Sequence, residues 1–167
     1  IDMSIIQNAP ALLISILALT FTIFSFWWMN WRKGKLIIGP PLSYAFAAQK
    51  NGLLLIVMPF VIYNEGAATQ TVQNLRLTLE QNDLKSKTMK YTATVPSLLG
   101  GKTEDGTRQF ARQFAVEGRK SHTNYFEFQR RQNEFVPSQG RFTAILEAKL
   151  NNNNEWEILR IFDLYIK

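Results

Sequence analysis

The chain has 167 residues, 46% of them apolar, with 19 Lys and Arg against 13 Asp and Glu, a formal net charge of +6 and no Cys. That is room for one ordinary domain of about 100 to 150 residues and one appended segment. Without Cys there is no disulfide framework, thiolate metal site or cysteine nucleophile, and the positive charge suits an anionic lipid surface, nucleic acid or an acidic partner without choosing among them.

Residues 1–8 read as a short tail whose only charge is Asp2. From Ala9 to Met29 no charged residue occurs, and APALLISILALTFTIFSFWWM predicts a transmembrane helix over 9–31, long enough to cross a hydrocarbon core of roughly 30 Å. Asn8 is placed to cap it and Pro10 to occupy its first turn. A soluble core helix would show a polar face, and a cleaved export signal would carry its basic residues first and a shorter apolar run. Here the order is reversed. Trp27, Trp28 and Trp31 suit the headgroup level, and Arg32, Lys33 and Lys35, in a basic stop and linker over 32–35, end the span. Residues 32–64 add Lys50 and contain no acidic residue, so the positive-inside bias places the C-terminal domain in the cytoplasm.

Within the helix Ala11, Ser15, Ala18, Thr22 and Ser25 recur at steps of 4, 3, 4 and 3. Such a stripe lets another membrane helix approach closely, and its spacing favours left-handed packing.

Past the stop the period changes to two. Met89, Tyr91, Ala93 and Val95 alternate with polar residues, as do Phe142, Ala144, Leu146, Ala148 and Leu150. Adding Leu36–Ile38, Leu53–Tyr63, Leu75–Leu79, Phe110–Val116, Tyr125–Phe128 and Trp156–Ile166 gives about eight strands joined by turn chemistry such as NEGAATQ and NNNNE. GLLLIVMPFVIYNEG is too short to cross as a second helix and reads as a buried strand, with Pro59 at a bulge or edge. The chain is therefore expected to be mainly β, a single N-terminal transmembrane helix followed by an antiparallel β-domain over 36–167, a β-sandwich more than the alternative closed barrel.

Two stretches carry a resemblance. PFVIYNEGAATQTVQNLRLTLE resembles the strand, Asn-x-Gly turn, strand element of bacterial immunoglobulin-like domains of the cell-adhesion-related, CARDB-like kind, and FVPSQGRFTAILEAKLNNNNEWEILRIFDLYI is similar to the hairpin that closes many such sandwiches. The layout resembles short bacterial membrane proteins with one span and one such domain, a group without an assigned activity. The resemblance implies an immunoglobulin-like fold and transfers no site residues.

Catalytic signatures are missing. GGKT at Gly100–Thr103 would need Gly at position 96 to complete a phosphate-binding loop, and the chain has Pro96, with Glu104 and Asp105 following. His122 is the only histidine, in a polar connection where it is expected to be solvated, so no histidine metal cluster forms. The carboxylates Glu65, Asp83, Glu117, Glu127, Glu134 and Glu147 show no paired or calcium-loop spacing, and Asp163 is expected to face outward from its strand. No enzyme activity, cofactor or metal is expected. Arg108, Arg112, Arg119, Lys120, Arg130 and Arg131 lie among Phe110, Phe114, Tyr125, Phe126 and Phe128, which allows an anion-binding surface, although alternation sends Phe126 and Phe128 to the core.

The functional expectation is a membrane-anchored, non-catalytic interaction protein, an accessory or scaffold subunit whose partners are the lipid bilayer and other membrane proteins or further copies of itself. The alternative is a tethered sensor that recognises nucleic acid or an anionic ligand through residues 108–131, nucleic acid being the less favoured of the two.

Overall fold

The computed structural model describes residues 3–48, 52–81, 84–98, 107–131 and 139–166. A helix, α1 (Met3–Asn30), precedes ten strands: β1 (Leu36–Ile38), β2 (Ala45–Ala48), β3 (Leu53–Asn64), β4 (Gln70–Gln81), β5 (Leu84–Val95), β6 (Gln109–Phe110), β7 (Phe114–Val116), β8 (Ser121–Arg131), β9 (Gly140–Leu150) and β10 (Glu157–Ile166). The helix starts at Met3, so Asn8 is not its cap and Pro10 lies inside it. Pro10 can only forgo one backbone bond there, and the helix runs through it. From Pro10 to Asn30 α1 is long and apolar enough to cross a membrane, and none of that stretch is buried against the rest of the chain.

The strands form one antiparallel sheet in the order β1-β3-β8-β5-β4-β9-β10, with β2 beside β3, β6 beside β5 and β7 beside β4. Alternation explains the long strands. In β9, Phe142, Ala144, Leu146, Ala148 and Leu150 are buried and the residues between them are not. The same core holds Ile56, Met58, Phe60 and Ile62 of β3 and Phe126 and Phe128 of β8. The sheet curls over this inner face far enough that Phe60 meets Phe162 of β10, ring centroids 6.0 Å apart. At its two ends the Tyr44 hydroxyl accepts the Tyr165 N–H at 2.9 Å and donates to the Tyr165 carbonyl. The fold is thus mainly β and antiparallel, behind one apolar helix.

Two features raise the strand number above eight. Ala45–Ala48 forms a strand of its own on β3, and Phe110–Val116 is divided between β6 and β7, which pair with different neighbours. Pro59 falls where expected. β1 pairs with β3 at residues 62–64 and β2 at residues 54–57, so Pro59 sits in the gap between them, on an open edge.

The split of Phe110–Val116 has a cause in the sheet. β4 and β5 pair from Gln81↔Leu84 to Arg76↔Lys90 and then part. β4 continues onto β7, from Val72↔Phe114 to Gln70↔Val116, while β5 continues onto β6 at Ala93↔Phe110 and stays beside β8. The sheet is forked, and the fork leaves a space on its inner side.

Candidate functional site

Two polar regions lie toward the helix end of the domain. The first joins the helix to the sheet. Residues 32–35 are bonded to the turn after β3: the Arg32 carbonyl accepts Ala67 N–H at 2.8 Å and Ala68 N–H at 3.3 Å, and the Glu65 N–H reaches the Lys35 carbonyl at 3.2 Å. Arg32 also donates a guanidinium N–H to the Glu65 carbonyl at 3.2 Å, and its guanidinium carbon stands 4.4 Å from the centre of the Trp28 ring. Gln70 closes the strap by donating to the Gly34 carbonyl. This approach requires glycine: a Cβ on Gly34 would stand 2.0 Å from the Gly66 nitrogen, and one on Gly118 would stand 1.8 Å from the Ala67 carbonyl oxygen. The expected linker is a fixed part of the domain.

Asn64, fully buried, organises this region. Its amide nitrogen donates to the Ala68 and Val116 carbonyls at 2.9 and 3.0 Å, and its side-chain oxygen accepts the Gly66 N–H at 2.9 Å. Its backbone is held too, Asn64 N–H to the Lys120 carbonyl and Arg119 N–H to the Asn64 carbonyl, both at 3.0 Å. The Asn-x-Gly turn legible in the sequence is thus a buried knot that ties β3, β7 and the 117–120 turn together.

The second region is the fork. A cleft of about 340 Å³ opens there, lined by Tyr91, Thr94, Gln109, Arg112, Phe114, His122 and Asn124 among others. His122 and Asn124 share the inner face of β8 with Phe126 and Phe128, opposite Ile62 and Phe60 in register. The imidazole stacks on Phe114, ring centroids 4.5 Å apart and planes 15° from parallel. The Asn124 side-chain nitrogen lies 2.9 Å from Nε2 of His122, and the Tyr91 hydroxyl 2.7 Å from the Thr94 hydroxyl. An amide nitrogen can only donate, so Nε2 accepts and the proton of the neutral ring sits on Nδ1. Burial, followed by the nearby Arg112 guanidinium, lowers the His122 pKa below its ordinary value near 6.5. His122 is therefore half-buried rather than solvated. The signal that would have found it is parity, since His122, Asn124, Phe126 and Phe128 are every second residue.

The other basic residues of 108–131 are not gathered around the cleft. Arg108 donates to the buried carboxylate of Glu127 at 2.6 and 3.3 Å, and that pairing raises its pKa. Thr92 and Gln129 also donate to Glu127. Lys120 pairs with Glu117 on an exposed turn. Arg119 occupies the same turn with φ +57, Arg130 donates to the Thr88 carbonyl at 2.8 Å, and Arg131 is exposed at the end of β8. Only Arg112 of the six lines the cleft.

On α1, the residues of the small stripe are exposed except Ser25, which is partly covered. The Ser15 hydroxyl donates to the Ala11 carbonyl and the Thr22 hydroxyl to the Ala18 carbonyl, both at 2.8 Å. The Ser15 and Thr22 protons are spent within the helix, which leaves close approach as what those two positions can offer. Trp27, Trp28 and Trp31 are exposed at the helix exit beside Lys33 and Lys35. GGKT with Glu104 and Asp105, and also Lys50, Asp83 and Glu134, lie outside the described residues. Among the described residues no three His, Asp or Glu side chains converge as metal ligands.

No family model and no curated protein matches the chain. Among solved structures it is similar to a protein from Archaeoglobus fulgidus (12% identity, TM-score 0.46, covering 77% of this chain and 94% of that one). It is also similar to the putative ApaA protein from Bordetella pertussis (8% identity, TM-score 0.44, 80% and 94% covered). A third is the Pseudomonas fluorescens alkylpurine DNA glycosylase AlkC bound to DNA containing an abasic site analog (12% identity, TM-score 0.35, 80% of this chain and 29% of that one). At such scores none of them bears on what this chain does.

Proposed function

We propose that this protein is a single-pass, membrane-anchored interaction protein without a catalytic step, an accessory or scaffold subunit of a membrane complex or a self-assembling one. In this reading α1 crosses the bilayer and packs through Ala11, Ser15, Ala18, Thr22 and Ser25 against other membrane helices. The β-domain stands in the cytoplasm as an immunoglobulin-like sandwich of the CARDB-like kind, its two halves meeting through contacts such as Phe60 against Phe162. The observation that carries the reading is the strap at residues 32–35. An apolar helix whose span is not buried leads into a segment bonded backbone to backbone to the domain, so whatever seats the helix also fixes the domain's orientation. A flexible tether would only hold the domain near the membrane.

The test is the size of the gently detergent-extracted assembly, with identification of copurifying proteins. Leu at Ser15, Ala18 and Thr22 together should dissociate it by filling the surface needed for close approach. Ala at Ser15 and Thr22 should leave it intact, since their hydroxyl protons are already used within the helix. An assembly whose size and composition survive the Leu substitutions overturns the helix-packing reading.

A further inference from the structure

Positions 122 and 124 belong to the core by parity, yet they carry an imidazole and an amide rather than a third and fourth apolar side chain. Polar groups in such positions cost stability unless they are bonded, and the usual remedy is a full set of partners inside the protein. Asn64 has that remedy. His122 does not: among the described residues its one hydrogen-bond partner is Asn124, through Nε2. No described group bonds its Nδ1, and His122 lines the cleft that the forked sheet holds open.

The lining selects a charge. Its titratable groups are Arg112 from the link between β6 and β7, Tyr91 from β5 and His122 from β8, and among the described residues no carboxylate lines it. The remaining polar groups, the Gln109 and Asn124 amides and the Thr94 and Thr107 hydroxyls, can all donate. Phe114 and Tyr91 supply flat apolar surface. A cation would meet Arg112 without a counter-charge, a metal ion would find a single ligand-quality nitrogen, and a purely apolar molecule would leave the donors unpaired. The volume, near the lower end of ligand sites of roughly 300 to 1,000 Å³, admits one small molecule or one headgroup.

We propose that the fork cleft binds a small organic oxyanion, a carboxylate or phosphate monoester, with its charged group between Arg112 and His122 and its body against Phe114 and Tyr91. The same chemistry comes either from a soluble metabolite or from an anionic lipid headgroup. The latter is within consideration because His122 pairs with Ile62, two residues from the Asn64 knot to which the helix exit is strapped. The inference is independent of the assembly reading, since binding is read on the protein itself.

His122 is the sole histidine, so its ring resonances report on the cleft without assignment. They are followed in the full chain in uncharged, lipid-free detergent against phenyl phosphate and benzoate, and in phosphatidylcholine nanodiscs with and without phosphatidic acid. A saturable shift with a soluble probe identifies a free ligand, and one seen only with phosphatidic acid identifies a headgroup; either supports the site. Affinity for benzoate, which keeps its charge throughout, should rise as pH falls from about 8 to about 6, because a bound anion favours the imidazolium. Arg112→Gln should weaken binding about tenfold or more, the loss expected of one charge-assisted hydrogen bond, with Arg112→Lys intermediate. Arg131→Gln, at the far end of β8, should change nothing. Arg112 is exposed, so its variants keep the fold, which circular dichroism checks. Failure of every probe to shift His122 saturably, or binding by Arg112→Gln equal to the wild type, overturns the proposal.

Discussion

The Asn64 knot and the fork cleft stand on the same strand pair, a few residues apart, and treat buried polarity in opposite ways. At the knot every polar atom of the Asn64 side chain is bonded to a neighbouring backbone group. At the cleft two polar side chains on a core face have, among the described residues, only each other and a neighbouring ring stack, and they line open space. The contrast separates architecture from availability: a saturated polar group holds the chain, and an unsaturated one that faces a cavity is free to take a ligand. It can be broken by substitutions that should behave very differently at the two places.

The largest effect is expected at the knot. Asn64→Ala removes two donated bonds and two accepted ones, the latter from the Gly66 N–H and, at 3.4 Å, from the Gln70 amide, and strands the Ala68 and Val116 carbonyls and the Gly66 N–H. Each stranded group costs about 1 to 3 kcal/mol, partly relieved by entering water, so a loss of about 3 kcal/mol in unfolding free energy is expected by denaturant titration. Gly118→Ala should be comparable, because the added methyl meets backbone rather than a movable side chain. A loss under about 1 kcal/mol for Asn64→Ala would mean that the knot is not saturated as described.

At the cleft the expected cost is small and its pH dependence is the sharper readout. Phe at 122 keeps a ring on Phe114 and suits the apolar face of Phe126 and Phe128, so His122→Phe should change stability by less than about 1 kcal/mol near pH 7.5. The sign of the pH effect follows from the lowered pKa. The unfolded histidine takes its proton near pH 6.5 and the folded one only at lower pH. As pH falls through that window the unfolded state binds more protons and wild-type stability declines, then stops declining below the folded value. The variant lacks this component, and unfolding midpoints at pH 7.5 and 5.5 should show it. Parallel midpoints in the two proteins would contradict the burial of the ring.

Much of this architecture could be read from residue order, and where it could not the reason is physical. Strand β9 and the Met89–Val95 stretch of β5 announce themselves because one face is buried along them, which makes their alternation clean. β8 is foreshortened in the sequence because His122 and Asn124 look like a connection; only their parity with Phe126 and Phe128 gives them away. Phe110–Val116 cannot be divided by local pattern, since what divides it is the parting of β4 and β5, set by ladders elsewhere. The approach of Gly34, Gly66 and Gly118 draws on three distant stretches and leaves no local trace. The basic cluster at 108–131 is dense in sequence and dispersed in space, because strand alternation and a tight turn point its members different ways. Glu127 is the clearest surprise. It is a carboxylate 5% exposed between two core phenylalanines, tolerable because the opposite face of β8 brings Arg108, Thr92 and Gln129 to it.

The smallest effect belongs on the outer face of the sheet, where two ion pairs of similar length extend the same rule. Arg76 grips Glu147 through two bonds of 2.6 and 2.7 Å and lies under Trp156, its guanidinium carbon 4.3 Å from the ring centre. Arg141 reaches Asp163 at 2.6 Å, but the two side chains are 75% and 50% exposed. The Arg141 contact lowers the Asp163 pKa, chiefly by hydrogen bonding, which in principle gives stability above the unfolded carboxylate pKa that is lost as pH falls. In water that contribution is screened, and either partner, once released, is simply hydrated. Asp163→Asn should therefore leave the unfolding midpoint where it is, at neutral and at mildly acidic pH alike. Glu147→Gln should lower it measurably, because it loosens a clamp whose carboxylate is only 13% exposed and whose cation is also held by an indole. Equal shifts from the two substitutions would show that contact length, and not what removal leaves behind, sets the worth of a polar group in this sheet.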